Sequence, residues 1–402
     1  MRITIPGALL AALIFLPSFL AAETFVYKYA AGDKYRILST VEEEVYLDRR
    51  LSHRAEILNR IAVEVTGVRE GKGRHEALFE TAERAVGVAA GDKSFQWSRA
   101  YDSVFERDSR GYLSIDQKYY MPVVRDVPVF PGRDLKPGDT WTAGGHEVHD
   151  FRDSFGIPEP YRIPFTANYT FLGNREWKGR LLPAFSVSYR IFLEPALAGR
   201  GLRPRRIMGA SDQVVFWDFN LGQAAAYHET FRMIFELSNG RTVEYRGRAE
   251  AEILESPSMN KERIASEISG DIEKLNLKDT TVRVTSQGVS ISLENIQFEA
   301  DSSVLLPSEK SKLDKIGEIL KRYNDRDILV EGHTALAGSA GGRLELSRER
   351  AAAAADYLIE KKIRPADRIV VRGYGAERPL ADNNTEAGMR RNRRVEIVIL
   401  EN

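Results

Sequence analysis

From Glu23 to about Glu255, apolar and polar residues alternate with the period of two expected of a half-buried strand. The clearest runs are Ile61 to Val68, Phe185 to Phe192 and Thr242 to Ala249. Turn chemistry separates them. Ser238-Asn239-Gly240 lies between two such runs, and Asn-Gly tolerates the positive φ angles of short hairpin turns, so a hairpin is predicted there. Pro131-Gly132, Lys136-Pro137-Gly138-Asp139 and the stretch from Pro158 to Pro164 mark a seam near 131–164. The pattern therefore predicts an all-β region over 23–255, made of one or two soluble β sandwich or clamshell subdomains.

After Pro257 the period changes. Ile264, Ile268, Ile272 and Leu275 recur at helical spacing and predict a short helical linker over 256–279. Strands and helices alternate from Thr280 onward. Val289 to Phe298 reads as a strand, and Pro307 opens a helix with Leu313, Ile316, Leu320 and Tyr323 on one face. Ile328 to Val330 is a short buried strand, followed by an alanine-rich helix from Arg343 to Lys361. Ile369 to Val371 and Val395 to Leu400 supply the last two strands. This order predicts an α/β sandwich over 280–402, with helices on one side of a sheet, and an α+β multidomain chain as a whole.

At the start of the chain, Arg2 precedes an apolar stretch from Ile5 to Leu20, and Ala21-Ala22 offers a small-residue cleavage point. Residues 1–22 are accordingly expected to be a cleaved signal peptide, the run being shorter than the ~20 residues of a spanning helix. No transmembrane span is expected after cleavage. A lipid-facing barrel is disfavoured for the β region, because Glu42-Glu43-Glu44 and Asp48-Arg49-Arg50 place charge on both faces of candidate strands.

Composition narrows the function classes. The 402 residues are 43% hydrophobic and 29% charged, enough apolar side chain for more than one core. Lys and Arg number 58, as do Asp and Glu, and this neutrality argues against a nucleic-acid partner. The absence of cysteine removes disulfides, thiolate metal sites and cysteine nucleophiles. His146 and His149, in Gly144-Gly145-His146-Glu147-Val148-His149, invite a metal reading as a loop site. No third ligand or His-Glu-x-x-His helix accompanies them, so no metal is expected. No Gly-x-Ser-x-Gly elbow is present, and neither an enzyme nor a cofactor is predicted. Phe95, Trp97, Tyr101, Trp141, Trp177 and Trp217 are read as core packing of the β region.

Four ordered blocks carry a specific resemblance. Gly332-His333-Thr334, Leu346 to Ala351, Arg372 to Pro379 and Asn392 to Glu396 together are similar to the OmpA C-terminal family, over about residues 285–402. The resemblance implies a periplasmic module, associated with cell wall or outer membrane, that holds the diaminopimelate residue of a peptidoglycan stem peptide. That ligand ends in an ammonium and a carboxylate, so its pocket wants an anion and a forked guanidinium. Arg350 occupies the family's helix arginine, and Arg393 or Arg394 supplies a second cation, with His333 and Thr334 in the adjoining loop. His333 is expected to brace that loop through hydrogen bonds.

Three positions depart from the family pattern. Ala335 stands where the family has an aspartate, Arg343 replaces an asparagine, and Met389 replaces an arginine. Losing one partner of a desolvated charge pair costs about 2–5 kcal/mol. Two readings follow: peptidoglycan association through an altered pocket, or a scaffold that has lost diaminopimelate binding and docks an envelope protein, with a partner or lipid on the β region.

Overall fold

The computed structural model describes residues 23–87, 93–195, 201–255, 259–298 and 303–401; the expected signal peptide lies outside them. The chain is mostly β. Its first part runs through β1 (Lys34–Leu47), β2 (Arg50–Arg69), β3 (Lys72–Val86), β4 (Phe95–Arg107), and the short β5 (Leu113–Ile115) and β6 (Val124–Arg125). There follow β7 (Thr140–His149), the one-turn α1 (Arg152–Phe155), β8 (Tyr161–Trp177), β9 (Arg180–Leu193), β10 (Pro204–Asp218), β11 (Gln223–Leu237) and β12 (Thr242–Glu255).

These strands form one antiparallel run, because β12 returns to pair with β1 and joins the ladder β1 to β5 to the ladder β6 to β12. Positive φ at both residues of the Asp48-Arg49, Glu70-Gly71 and Lys178-Gly179 turns gives the twist that tight hairpins need. Asp48 is held in this conformation by its carboxylate, which accepts from Thr242 N at 2.8 Å and Arg241 Nε at 2.9 Å. The predicted hairpin at Asn239-Gly240 joins β11 to β12. The 131–164 stretch, where a seam was expected, falls inside the ladder: β7 and β8 pair across it from Thr140 to Tyr161.

The sheet curls so that its concave side encloses aromatic packing. Phe25, Tyr27, Phe130, Phe185 and the fully buried Trp217 stack there, with Trp141 lying flat on Tyr169 at 4.9 Å. Tyr101 on β4 donates to Asp150, just beyond β7, bringing the two ends of the ladder together.

The second part contains α2 (Lys261–Lys274), β13 (Thr280–Val284), β14 (Gly288–Glu294), α3 (Pro307–Leu320), β15 (Ile328–His333), α4 (Ala340–Glu360), β16 (Ile369–Gly373), α5 (Glu386–Asn392) and β17 (Arg394–Leu400). Its sheet order is β13-β14-β17-β15-β16, antiparallel except between β15 and β16. Alternate strand residues such as Ile291, Val330, Val371 and Ile397 meet α2, α3 and α4 in one core. Helix α2, expected as a linker, buries Ile264, Ile268 and Ile272 in that core.

The other face of this sheet is not bare. Leu329, Val370 and Val398 pack against Leu58, Ala82 and Phe95 of the β region, each large apolar side chain contributing ~1.5–3 kcal/mol by burial. Strand β4 also extends the sheet, pairing parallel with β16 at Phe95 and Gln96. Phe95 and Trp97 thus serve the junction of the two regions instead of the β-region core expected for them, and Arg372 lies 3.6 Å above the Trp97 ring. At the centre, the fully buried Asp327 takes Arg36, Arg60 and Arg368. Burial alone would raise this carboxyl, but Arg60, Arg36 and Arg368 outweigh it and hold it below the usual range.

Candidate functional site

The four motif blocks converge at the end of β15, where their glycines and small residues let helix and strands approach. A Cβ on Gly332 would lie 1.9 Å from the Ser347 carbonyl oxygen, and one on Gly373 would lie 2.7 Å from Arg348 N. Only glycine permits α4 to sit this close to β15 and β16. Ser347 then accepts from Gly375 N at 2.8 Å and donates to Leu344 O at 2.7 Å, pinning the 374–380 loop to α4. Asn392 fixes the other side: its Oδ1 accepts from Leu380 N and Ala381 N, and its Nδ2 donates to Ala381 O and Asn383 Oδ1. Asn383 in turn accepts from Leu336 N at 3.0 Å. The loop that follows Thr334 is thereby tied to α5 and to the 374–385 stretch.

On this frame Arg350 is half-buried on α4. Its guanidinium lies 4.8 Å over the Phe298 ring, and its Nε is buried without a hydrogen-bond partner. Burial, and after it the nearby Arg393 guanidinium, pull Arg350 below its ordinary range; Glu349 opposes them. Arg350 therefore combines an unsatisfied donor with the electrostatic influence of a second cation. Such an arrangement favours an anion.

Arg394 does not join them. Strand alternation turns it to the far face of the sheet, where it is 3% exposed and donates to Glu396 at 2.6 Å and to Arg378 O at 3.0 Å. Glu396 also takes Arg283 at 2.8 Å and Ser290 at 2.8 Å. The second cation at the rim is thus Arg393, which remains half-exposed.

His333 is likewise turned inward and 3% exposed. Its two ring nitrogens have no hydrogen-bond partner, so the bracing expected of it comes from stacking on Tyr374, with centroids 5.3 Å apart. Burial and then Arg394 depress its pKa to about 3. The ring is neutral, and its 3.9 Å approach to Glu396 is not an ion pair. Thr334 donates its N–H to Gly375 O at 2.8 Å, while its buried hydroxyl has no partner.

The departures have structural settings too. Ala335 is 5% exposed, so its methyl fills the space where the family aspartate would sit. Arg343, in the first turn of α4, reaches back to Gly338 O. Met389 lies in α5, where its carbonyl accepts from Arg393 N at 3.1 Å. Phe298 and Asn383, which help to form and hold the rim, lie outside the four motif blocks, and only their sequence proximity to strand and helix ends hinted at them.

His146 and His149 are on strand β7, not on a loop, and residues three apart on a strand face opposite sides. His146 approaches Asp126 at 3.5 Å and His149 meets Glu147 at 2.7 Å. Among the described residues no group of three or more His, Cys, Asp or Glu is placed to hold a metal ion. No helix among them is long and apolar enough to cross a membrane.

Helices on one face of a sheet, with the four motif blocks gathered at one end of β15, define a compact α/β module. A family model described as the OmpA family matches residues 297–393. Outer-membrane lipoprotein YfiB of Pseudomonas aeruginosa is 36% identical over 121 residues, covering 28% of this chain and 71% of that protein. This chain belongs, through its C-terminal region, to the OmpA family. Peptidoglycan-binding protein ArfA of Mycobacterium tuberculosis is 36% identical over 104 residues, 26% of this chain. The matched part spans only 32% of ArfA's length. The solved structure of the cell wall anchor of the T6SS from Pseudomonas aeruginosa aligns at 25% identity, covering 35% of this chain and 99% of that one, with a TM-score of 0.30. The family model does not extend into the β region.

Proposed function

We propose that this is an exported cell-envelope protein that anchors non-covalently to peptidoglycan through its C-terminal region, in a structural and not an enzymatic role. The carrying observation is the half-buried Arg350, with an unsatisfied Nε and Arg393 beside it. A stem-peptide carboxylate supplies the missing acceptor, and the planar fork suits it. The ligand's ammonium meets no acid at Ala335, so affinity is lower than in a pocket that keeps the pair. At about 2–5 kcal/mol for a lost desolvated partner and ~1.4 kcal/mol per decade, the weakening is tens- to thousands-fold. In this reading the module works in the periplasm, and the β region sits beside the wall.

Retention on purified sacculi tests this, comparing wild type with Arg350→Ala and Arg394→Ala. Arg350→Ala is expected to lose at least tenfold in retention, while Arg394→Ala affects stability before binding. Equal retention of wild type and Arg350→Ala, or of neither, removes Arg350 from the account and favours the scaffold reading.

A further inference from the structure

Inside the curled sheet of the β region lies a cavity of about 330 Å³. Ile37, Ile61 and Phe79 form one wall from β1 to β3, and Val215, Ala224 and Tyr227 form the opposite wall from β10 and β11. The lining is predominantly apolar, and its volume falls at the lower end of the roughly 300–1,000 Å³ typical of small-molecule sites.

Its polar groups are unequal. Glu229 lines the cavity but is already engaged, accepting from Ser211 Oγ at 2.6 Å and Gln213 Nε2 at 3.3 Å. Burial pushes its carboxyl above the ordinary range, which favours the uncharged form. Arg107, the cation of the lining, differs. Its guanidinium lies 5.0 Å from the centre of the Tyr27 ring and 5.7 Å from that of Phe105. Among the described residues it has no hydrogen-bond or ion-pair partner. Asp126 acts on it only from a distance, being engaged with Leu113 N at 2.8 Å and facing His146 at 3.5 Å. Other buried guanidiniums do find acceptors, Arg394 at Glu396, Arg36 at Asp327 and Arg125 at the carbonyls of Tyr119 and Pro122. Aromatic faces offset part of the cost of burying a cation, but an anion offsets more.

We propose that this cavity binds a single-chain amphiphile, with its aliphatic chain between the two sheet walls and its carboxylate on Arg107. The volume suits one chain and not the two of a phospholipid. One unmatched guanidinium suits one monoanionic head, as against a dianionic phosphate.

Calorimetric titration of the full chain with dodecanoate, dodecanol, dodecylammonium and dodecyl phosphate tests the assignment without involving the cell wall. Dodecanoate is expected to bind one to one with a negative heat-capacity change, dodecanol at least tenfold more weakly, and dodecylammonium more weakly again. Equal binding of dodecanol and dodecanoate, tighter binding of dodecyl phosphate, or no binding of any probe overturns the proposal. Arg107→Met keeps the side-chain volume and is expected to lose at least tenfold for dodecanoate while leaving dodecanol unchanged. Ala224→Phe fills the cavity from the wall formed by β10 and β11 and is expected to abolish binding of every probe; retained binding places the ligand elsewhere and overturns the site.

Discussion

The C-terminal region draws its candidate site from a few short blocks of sequence, whereas the β region draws its cavity one residue at a time from strands spread over more than two hundred positions. In the first, Gly332, Ser347, Gly375 and Asn392 set the backbone, and Arg350 stands on the resulting frame. In the second, alternate positions face inward on every strand, and no neighbouring residues announce that Arg107 and Tyr227 share a wall-lined space. Motif-built sites are local in sequence because a close helix–strand approach demands particular small residues. Cavities inside sheets demand only an inward-facing parity.

Asp327 is where these two regions meet, and its removal offers the strongest test of whether they act as one unit. Replacing a buried carboxylate that serves Arg36, Arg60 and Arg368 costs ~3–5 kcal/mol. Trp141, Trp177 and Trp217 lie in the β region, Trp97 lies at the junction and the long helices lie in the C-terminal region, so fluorescence reports chiefly on the β region and helical circular dichroism on the C-terminal one. Wild type is expected to give coincident denaturation curves. Asp327→Ala is expected to shift and separate them. Curves that stay coincident and unshifted rule out a docked pair.

Gly332→Ala sharpens the contrast from the other direction. Its Cβ would meet the Ser347 carbonyl at 1.9 Å, so α4 must shift, at a cost of ~1–3 kcal/mol or more. The loss is expected to be larger in the helical midpoint than in the fluorescence midpoint, which follows it through the junction. An unchanged helical midpoint means that the motif glycine does not enforce the approach.

Ala335→Asp sets stability against binding. The side chain is buried, and an added carboxylate without a partner costs ~1–3 kcal/mol in the free protein. Sacculus retention is nevertheless expected to rise, because the acid restores a partner for the ligand ammonium. Lower stability with no gain in retention indicates a rebuilt pocket.

Much of the architecture was legible in the sequence, for identifiable reasons. Period-two runs and Asn239-Gly240 located strands and a hairpin, since both follow from local backbone and side-chain geometry. What the pattern could not show was which elements share a core. Ile264, Ile268 and Ile272 indicated a helix, but only tertiary packing places it in the C-terminal core. Phe95 and Trp97 read as interior aromatics because burial looks alike whether the neighbour is the same region or the next. Arg393 and Arg394 were equal candidates until strand alternation put one at the rim and the other in an internal pair with Glu396.

The smallest expected effect is a pH dependence confined to the β region. Burial first, and the facing Glu83 second, push the Glu43 carboxyl up to about 7. Its folded pKa lies above the ordinary value of 4.5, so the fold favours the protonated form. Stability from this group is present in acid and is lost as pH rises from about 4.5 through 7. His75 works in the opposite sense, its pKa lowered to about 4 by burial and then Arg107, so its contribution is lost as pH falls below its ordinary 6.5. Acidification from pH 8 to 6.5 therefore exposes the Glu43 effect before His75 opposes it, and stability is expected to rise by at most about 1 kcal/mol over that interval. Glu43→Gln is expected to flatten the rise, measured by denaturation followed through tryptophan fluorescence. The same rise in the variant would assign the titration to another group, with Glu229, also raised by burial, the next to replace.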